Sequence, residues 1–234
     1  MKKHFIIFSF LLFSIINLKT NLQAQKLKDI RFGATIGVGG STIKGKEGGN
    51  TFGSRDKDTP MLERIILLVG MMADMPLKKR LSVQAGLQYK NAGYNYNGAD
   101  FREELRVNYL SMPVNLRYNL AEKNNVKFYV YGGLHVAGTL GGKVVTEYKQ
   151  NYGTKTTPLY FGNDRTRDFA KKIDFGHQYG FGIESDRLCL NVTVFDKSII
   201  NIQPQGNSDN SMRNSSVTMS VGYFFSKKNS VKTL

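Results

Sequence analysis

Cysteine is all but missing: Cys189 stands alone among 234 residues. A single thiol excludes an internal disulfide, and a thiol so far downstream excludes the lipid-bearing N-terminal cysteine of a lipoprotein. Histidine is nearly as scarce, with three in the whole chain. An acyltransferase or protease working at a membrane rim would need histidine grouped with serine or aspartate there. His135 falls on the polar face of its strand pattern and His177 on the apolar face of another. The two do not converge, so neither a catalytic residue nor an enzyme activity is expected. Gly33, Gly37, Gly39 and Gly40 are followed by no Gly-Lys-Ser/Thr and open no helix pattern, which excludes a phosphate-binding loop. No calcium or zinc ligand spacing occurs, so neither metal nor cofactor is expected.

A long apolar run is missing too. Residues 5–18 are apolar, but a helix needs about 20 such residues to cross a bilayer, and the polar stretch 19–23 ends the run. Lys2 and Lys3 precede it and the small residue Ala24 follows, the arrangement of a secretory signal peptide over 1–24, cleaved to leave Gln25 first. No linker divides the remainder, so 25–234 reads as one domain.

What the chain has in quantity is basic charge, glycine and aromatic side chains. Without Lys2, Lys3 and Lys19, 30 of the 33 basic residues remain against 18 acidic ones, about +12. An exported protein meets anionic lipid headgroups and lipopolysaccharide phosphates before any nucleic acid, so outer-membrane lipid and lipopolysaccharide are the expected partners and nucleic acid is not. With 24 Gly, 12 Tyr, 15 Phe and no Trp, the composition favours strands and aromatic girdles over helices.

Period-two alternation then recurs along the chain, the signature of strands whose successive side chains point to opposite faces. Over 30–40, Phe32, Ala34, Ile36 and Val38 oppose Arg31, Gly33, Thr35 and Gly37. Over 80–92, Leu81, Val83, Ala85 and Leu87 oppose Ser82, Gln84, Gly86 and Lys90. Over 105–120, Leu110, Met112, Val114 and Leu116 oppose Ser111, Pro113, Asn115 and Arg117. Over 125–140 the apolar set includes Val130, Leu134 and Val136, and over 172–185 it includes Phe175, Tyr179 and Phe181 against Asp174, Gln178 and Glu184. Val192 and Val221 mark the strands at 187–201 and 215–226. Only 64–75 is continuously apolar, and its neighbours make it a strand as well.

The second face decides the solvent. A soluble barrel stocks it with Lys and Glu, whereas here it carries Gly, Ser, Thr, Asn and Gln with isolated charges, which suits a narrow, filled lumen. The connections agree: long (41–63), short (76–79), middling (93–104), short (121–124), long (141–171), short (around Asp186), middling (202–214). A Greek-key sandwich has no reason to alternate so. The expectation is an all-β, closed, up-and-down antiparallel transmembrane barrel of about eight strands, with short periplasmic turns and longer outer loops. Closure follows because an open edge in hydrocarbon leaves backbone groups unpaired. Pro113, lacking an N–H, predicts a bulge or barrel rim. Tyr89, Tyr109, Tyr118, Phe128, Tyr179 and Tyr223 are expected at the two interfaces.

These strand patterns resemble the PorT-like outer-membrane β-barrel family common in Bacteroidetes. The resemblance rests on Tyr109-Leu-Ser-Met-Pro-Val-Asn-Leu-Arg-Tyr118, Phe128-Tyr-Val-Tyr-Gly-Gly133, Asp174-Phe-Gly-His-Gln-Tyr-Gly-Phe-Gly-Ile-Glu184 and Val221-Gly-Tyr-Phe-Phe225, after which a tail of residues 226–234 continues. It implies this fold in the outer membrane of a Gram-negative bacterium.

Two groups of residues are candidate sites. Arg31, Lys90, Asn115, Arg117, Asp174, Gln178 and Glu184 are expected to form a polar network inside the lumen, pairing with one another rather than lining an ion path. Lys143, Lys149, Lys155, Arg165, Arg167, Lys171 and Lys172 enrich the longest loop, 141–172, which is the expected place to bind an anionic glycan, lipopolysaccharide or a partner protein. The expected role is structural or interactive, as an accessory to secretion or envelope integrity with envelope or secretion proteins as partners. A narrow channel for ions or small solutes and an acyltransferase or protease at the rim are the alternatives, with a soluble periplasmic barrel the least favoured.

Overall fold

Strands that alternate apolar with small polar side chains make a sheet whose two faces need different surroundings. In the computed structural model the sheet closes on itself around the polar face and leaves the apolar face outside. The structure describes residues 30–47, 50–52, 61–78, 80–98, 100–149, 153–164, 166–199, 202–203 and 211–226. The expected leader at 1–24 and its cleavage point lie outside the described residues.

Among the described residues ten strands form one sheet: β1 Arg31–Glu47, β2 Asn50–Phe52, β3 Met61–Lys78, β4 Leu81–Asn97, β5 Phe101–Lys123, β6 Val126–Tyr148, β7 Thr154–Leu159, β8 Ile173–Ser185, β9 Leu188–Ser198 and β10 Ser211–Phe224. Eight of them follow one another antiparallel from β1 through β3, β4, β5, β6, β8 and β9 to β10, and β10 pairs back onto β1 from Gly33↔Phe224 to Lys46↔Ser211. That pairing closes the ring and removes both edges. The short strands β2 and β7 hang outside it, paired to the outer ends of β1 and β6.

The two faces are sorted opposite to those of a soluble protein. Ile36 is 64% exposed, Val114 52% and Val221 47%, whereas Arg117 and Glu184 inside are 1% exposed. Apolar side chains project outward along each barrel strand over about the 9 to 11 residues that a tilted strand needs to cross hydrocarbon. On β5 the outward run is Leu110, Met112, Val114, Leu116, Tyr118 and Leu120. Inside, Gly180 and Gly182 leave the space that the rings of Tyr131 and Tyr129 occupy.

One end holds the tight turns. Asn124 (φ 50°) and Asn125 (φ 65°) connect β5 to β6, and Asp186 (φ 50°) begins the turn from β8 to β9. Asn and Asp tolerate the left-handed region, and two positive φ values in a two-residue loop match the right-handed twist of the flanking strands. Both ends of the ring, Arg31 and Phe224, lie with these turns.

The other end departs from the sequence reading. The expected loop at 93–104 is instead strand up to Asn97 and again from Phe101, with the connection reduced to 98–100. The expected loop at 141–172 contains the outer end of β6, its hairpin partner β7 and a folded return. The cause is strand length: β5 and β6 run 23 residues each, so residues 101–109 of β5 rise about 30 Å along the strand beyond its apolar run. Pro113 produces no register shift. Its pairing with β6 is regular at His135, and on the β4 side the register is the same before and after it, from Ala85↔Val114 to Gln88↔Ser111. Gly86 of β4 faces the proline ring there, leaving it room. Tyr109 is buried in the interior, not at an interface.

Candidate functional site

Inward positions of neighbouring strands fall at matching heights, so the register stacks the polar side chains into layers. In the layer nearest the turns, Glu184 of β8 lies between two guanidinium groups: Arg31 Nη1 at 3.0 Å and Arg117 Nη2 at 2.6 Å. Arg31 also donates from Nη2 to Asp74 Oδ2 at 2.7 Å. Each guanidinium lies over an aromatic ring, Arg117 over Tyr129 at 3.5 Å and Arg31 over Phe224 at 3.9 Å. Charges this deep are retained only when partners surround them, because removing one partner leaves the other charge stranded.

Above this layer the Gln178 amide donates to Asn115 Oδ1 at 3.0 Å, beside a cavity of about 40 Å³ lined by Thr35, Gln84, Asn191 and Thr193 among others. Higher still, Asp196 receives Lys90 Nζ at 2.6 Å and the Ser216 hydroxyl at 2.9 Å, with His135 Nδ1 at 3.4 Å. Asp174 accepts from the Ser198 hydroxyl and the Asn214 amide, both at 2.7 Å. The structure places all seven of these residues inside the ring, at three heights. His177 faces outward with its ring 5.2 Å from Tyr179, away from His135.

The outer mouth is closed by apolar side chains. Ile43, Ile66, Ala92, Leu105, Val107, Ala170, Ile202 and Met212 pack together within the ring, joined by Phe161 and Phe169, whose rings meet edge to face at 6.2 Å. The return segment 160–172 places these aromatics. Phe169 N donates to Tyr160 O, Gly162 N to Ala170 O, and Lys171 N to Ile202 O. Its turn is held by Asp164, which accepts from the Thr166 hydroxyl at 2.8 Å and the Thr166 backbone at 3.0 Å. Those bonds hold the Asp164 carboxyl below its ordinary range.

The basic residues expected to recognise ligands are distributed over several elements. Lys143 lies on the outer side of β6, Lys149 donates to Gly98 O at 2.7 Å, Lys155 is on β7, and Arg167 pairs with Asp168 at 3.1 Å. Lys171 and Lys172 lie at the foot of β8, and Arg165 lies outside the described residues. A different cluster was missed. Just above the apolar run, Glu104 is held by Arg106 at 2.5 Å and by Arg64 at 2.8 Å, and Arg64 also donates to Asn91. Asn108 accepts from Asn91 at 2.7 Å and from the Tyr89 hydroxyl at 2.9 Å. Arg106, and Arg64 after it, hold the Glu104 carboxyl down at about 2. Continued parity on β5 carries the signal for it: Arg102, Glu104, Arg106 and Asn108 share the face of Leu110.

Several solved structures are similar to the chain. The attachment invasion locus protein Ail of Yersinia pestis shares 12% identity at a TM-score of 0.38, covering 83% of this chain and 98% of Ail. The outer membrane protein OprG of Pseudomonas aeruginosa shares 14% at 0.40, covering 84% and 94%. Neisserial surface protein A shares 10% at 0.41, covering 83% and 97%. Among curated proteins no sequence matches. Residues 23–202 match the family model described as an outer membrane protein beta-barrel domain, and with the closed ring and its lipid-facing girdle already established, the chain belongs to that family of outer-membrane β-barrels.

Proposed function

We propose that this outer-membrane barrel is a plugged structural and interaction protein of the PorT-like kind. In this reading it is exported through the leader at 1–24 into the outer membrane of a Gram-negative bacterium. It turns over no substrate, and it acts through its raised outer extension on outer-leaflet lipid, lipopolysaccharide and envelope or secretion proteins.

The observation that carries the reading is the double closure of the lumen. The Arg31–Glu184–Arg117 layer fills the ring near the turns, and the Ile66, Leu105 and Val107 cluster with Phe161 and Phe169 fills it at the mouth. A channel needs a continuous wet path, and a rim enzyme needs its base at the mouth, whereas His135 lies beneath the apolar cluster. What remains available to partners is the outer surface of β4, β5, β6 and β7.

Conductance of the purified full chain in a planar bilayer tests this. The expected record is flat at moderate voltage. Discrete, reproducible current steps would replace the plug with the narrow channel.

A further inference from the structure

On the outside of the barrel, β4, β5 and β6 border a groove of about 410 Å³ lined by Tyr89, Asn91, Arg106, Asn108, Gly142 and Lys143, with Gly141 at its edge. Three features make it more than a gap between side chains. Its backbone is bare: a Cβ added at Gly141 would meet nothing within 4 Å. The register is irregular here, with Leu140 as the extra residue between the pairs Asn108↔Gly141 and Tyr109↔Thr139. Beyond it Arg106 pairs with Lys143, which turns Lys143 to the same outer side as Arg106. Its donors are also fixed in advance. Asn91 and Tyr89 orient Asn108, while Glu104, gripped by Arg64, holds one side of Arg106.

The charge count favours an anion. Arg64 and Arg106 share one carboxylate, Glu104, and Lys143, which lines the groove with Arg106, has no ion-pair partner among the described residues. A phosphate monoester carries about −1.5 to −2 and presents three strong acceptor oxygens, which matches the excess. The height then identifies its source. Leu110 and Leu140 are exposed directly below the groove, so acyl chains begin there. Arg106 stands four residues above Leu110 on the same face, about 13 Å along the strand and about 9 Å along the membrane normal at the usual tilt. An outward cation at that height meets lipid phosphates laterally.

We propose that the groove between β4, β5 and β6 binds a phosphate group of an outer-leaflet glycolipid of the lipopolysaccharide type, with Arg106 and Lys143 as the phosphate ligands and Asn91 and Asn108 as polar supports. The inference rests on the outer-membrane interaction reading above and specifies one partner for it. It is independent of whether the lumen conducts.

The test is native mass spectrometry of the full chain released from detergent micelles and titrated with bisphosphorylated lipid A, alone and against the same lipid with both phosphates removed. The phosphorylated lipid is expected to give a saturable adduct at least tenfold tighter than the dephosphorylated one, an arm that needs no variant. The double substitution Arg106→Gln and Lys143→Gln is expected to remove that preference. Arg106→Lys with Lys143→Arg is expected to retain it, as is Lys149→Gln with Lys172→Gln, which deletes the same charge away from the groove. Equal affinity for the two lipids, or equal loss in both glutamine pairs, would overturn the proposal. Competition by inorganic phosphate at the lipid's own concentration would overturn the lipid as its source. A conducting barrel that still prefers the phosphorylated lipid would sink the plug and leave this site standing.

Discussion

At the scale of single residues the account depends most on Glu184. It is the only carboxylate within reach of both Arg31 and Arg117 among the described residues, and all three are buried. Glu184→Ala would leave two guanidinium groups without their shared anion, and breaking a buried pair from one side costs about 3 to 5 kcal/mol. Urea unfolding in lipid vesicles should register that loss through a lower midpoint. A midpoint unchanged from wild type would mean the cluster contributes nothing. Glu104 makes the complementary prediction outside the membrane. Its carboxyl is lowered from 4.5 to about 2, chiefly by Arg106. A depressed carboxylate pKa contributes stability that is complete above the unfolded value near 4.5 and lost as pH falls through about 2. The Arg64–Glu104–Arg106 cluster should therefore stay intact at pH 4. The side-chain carboxyl shift of Glu104 followed by NMR should titrate near 2, and a midpoint at 4.5 would mean the contacts are not made in solution.

At the scale of elements, the turn between β5 and β6 needs two left-handed residues in succession, supplied by Asn124 and Asn125. Asn125→Gly should leave the unfolding midpoint unchanged or raise it. Asn125→Ile places a β-branched residue at positive φ and should cost about 1 to 3 kcal/mol on the same assay. The membrane-spanning parts of the strands were legible in the sequence because apolar and small polar residues contrast there at every step. That contrast gives inside and outside without any knowledge of register, and hence the lumen positions of Arg117, Asp174 and Glu184. The outer extension was not legible for the same reason. Residues 101–104 set Phe101 and Glu103 against Arg102 and Glu104, so neither face reads as apolar, and the Thr-rich β7 has no apolar face. Pattern reading therefore saw loops where backbone pairing continues. The groove was missed with them, because it needs the register irregularity at Leu140, and no periodicity reports an extra residue in one strand.

At the scale of the whole molecule, one physical arrangement connects the parts: an apolar exterior, a polar interior and a ring closed by β1 and β10. Closure satisfies the backbone in hydrocarbon, the lipid-facing girdle fixes the height of everything above it, and that height sets the outer surface of β5 and β6 at the level of the headgroups. In the proposed reading the interior serves shape and carries no traffic. The most direct measurement compares side chains of the same type at different places in the ring. In lipid nanodiscs, methyl groups of Val114 and Val221 should give nuclear Overhauser cross-peaks to acyl-chain methylenes, and those of Val107 and Leu105 should give none. Cross-peaks from Val107 and Leu105 with none from Val114 and Val221 would contradict the arrangement outright.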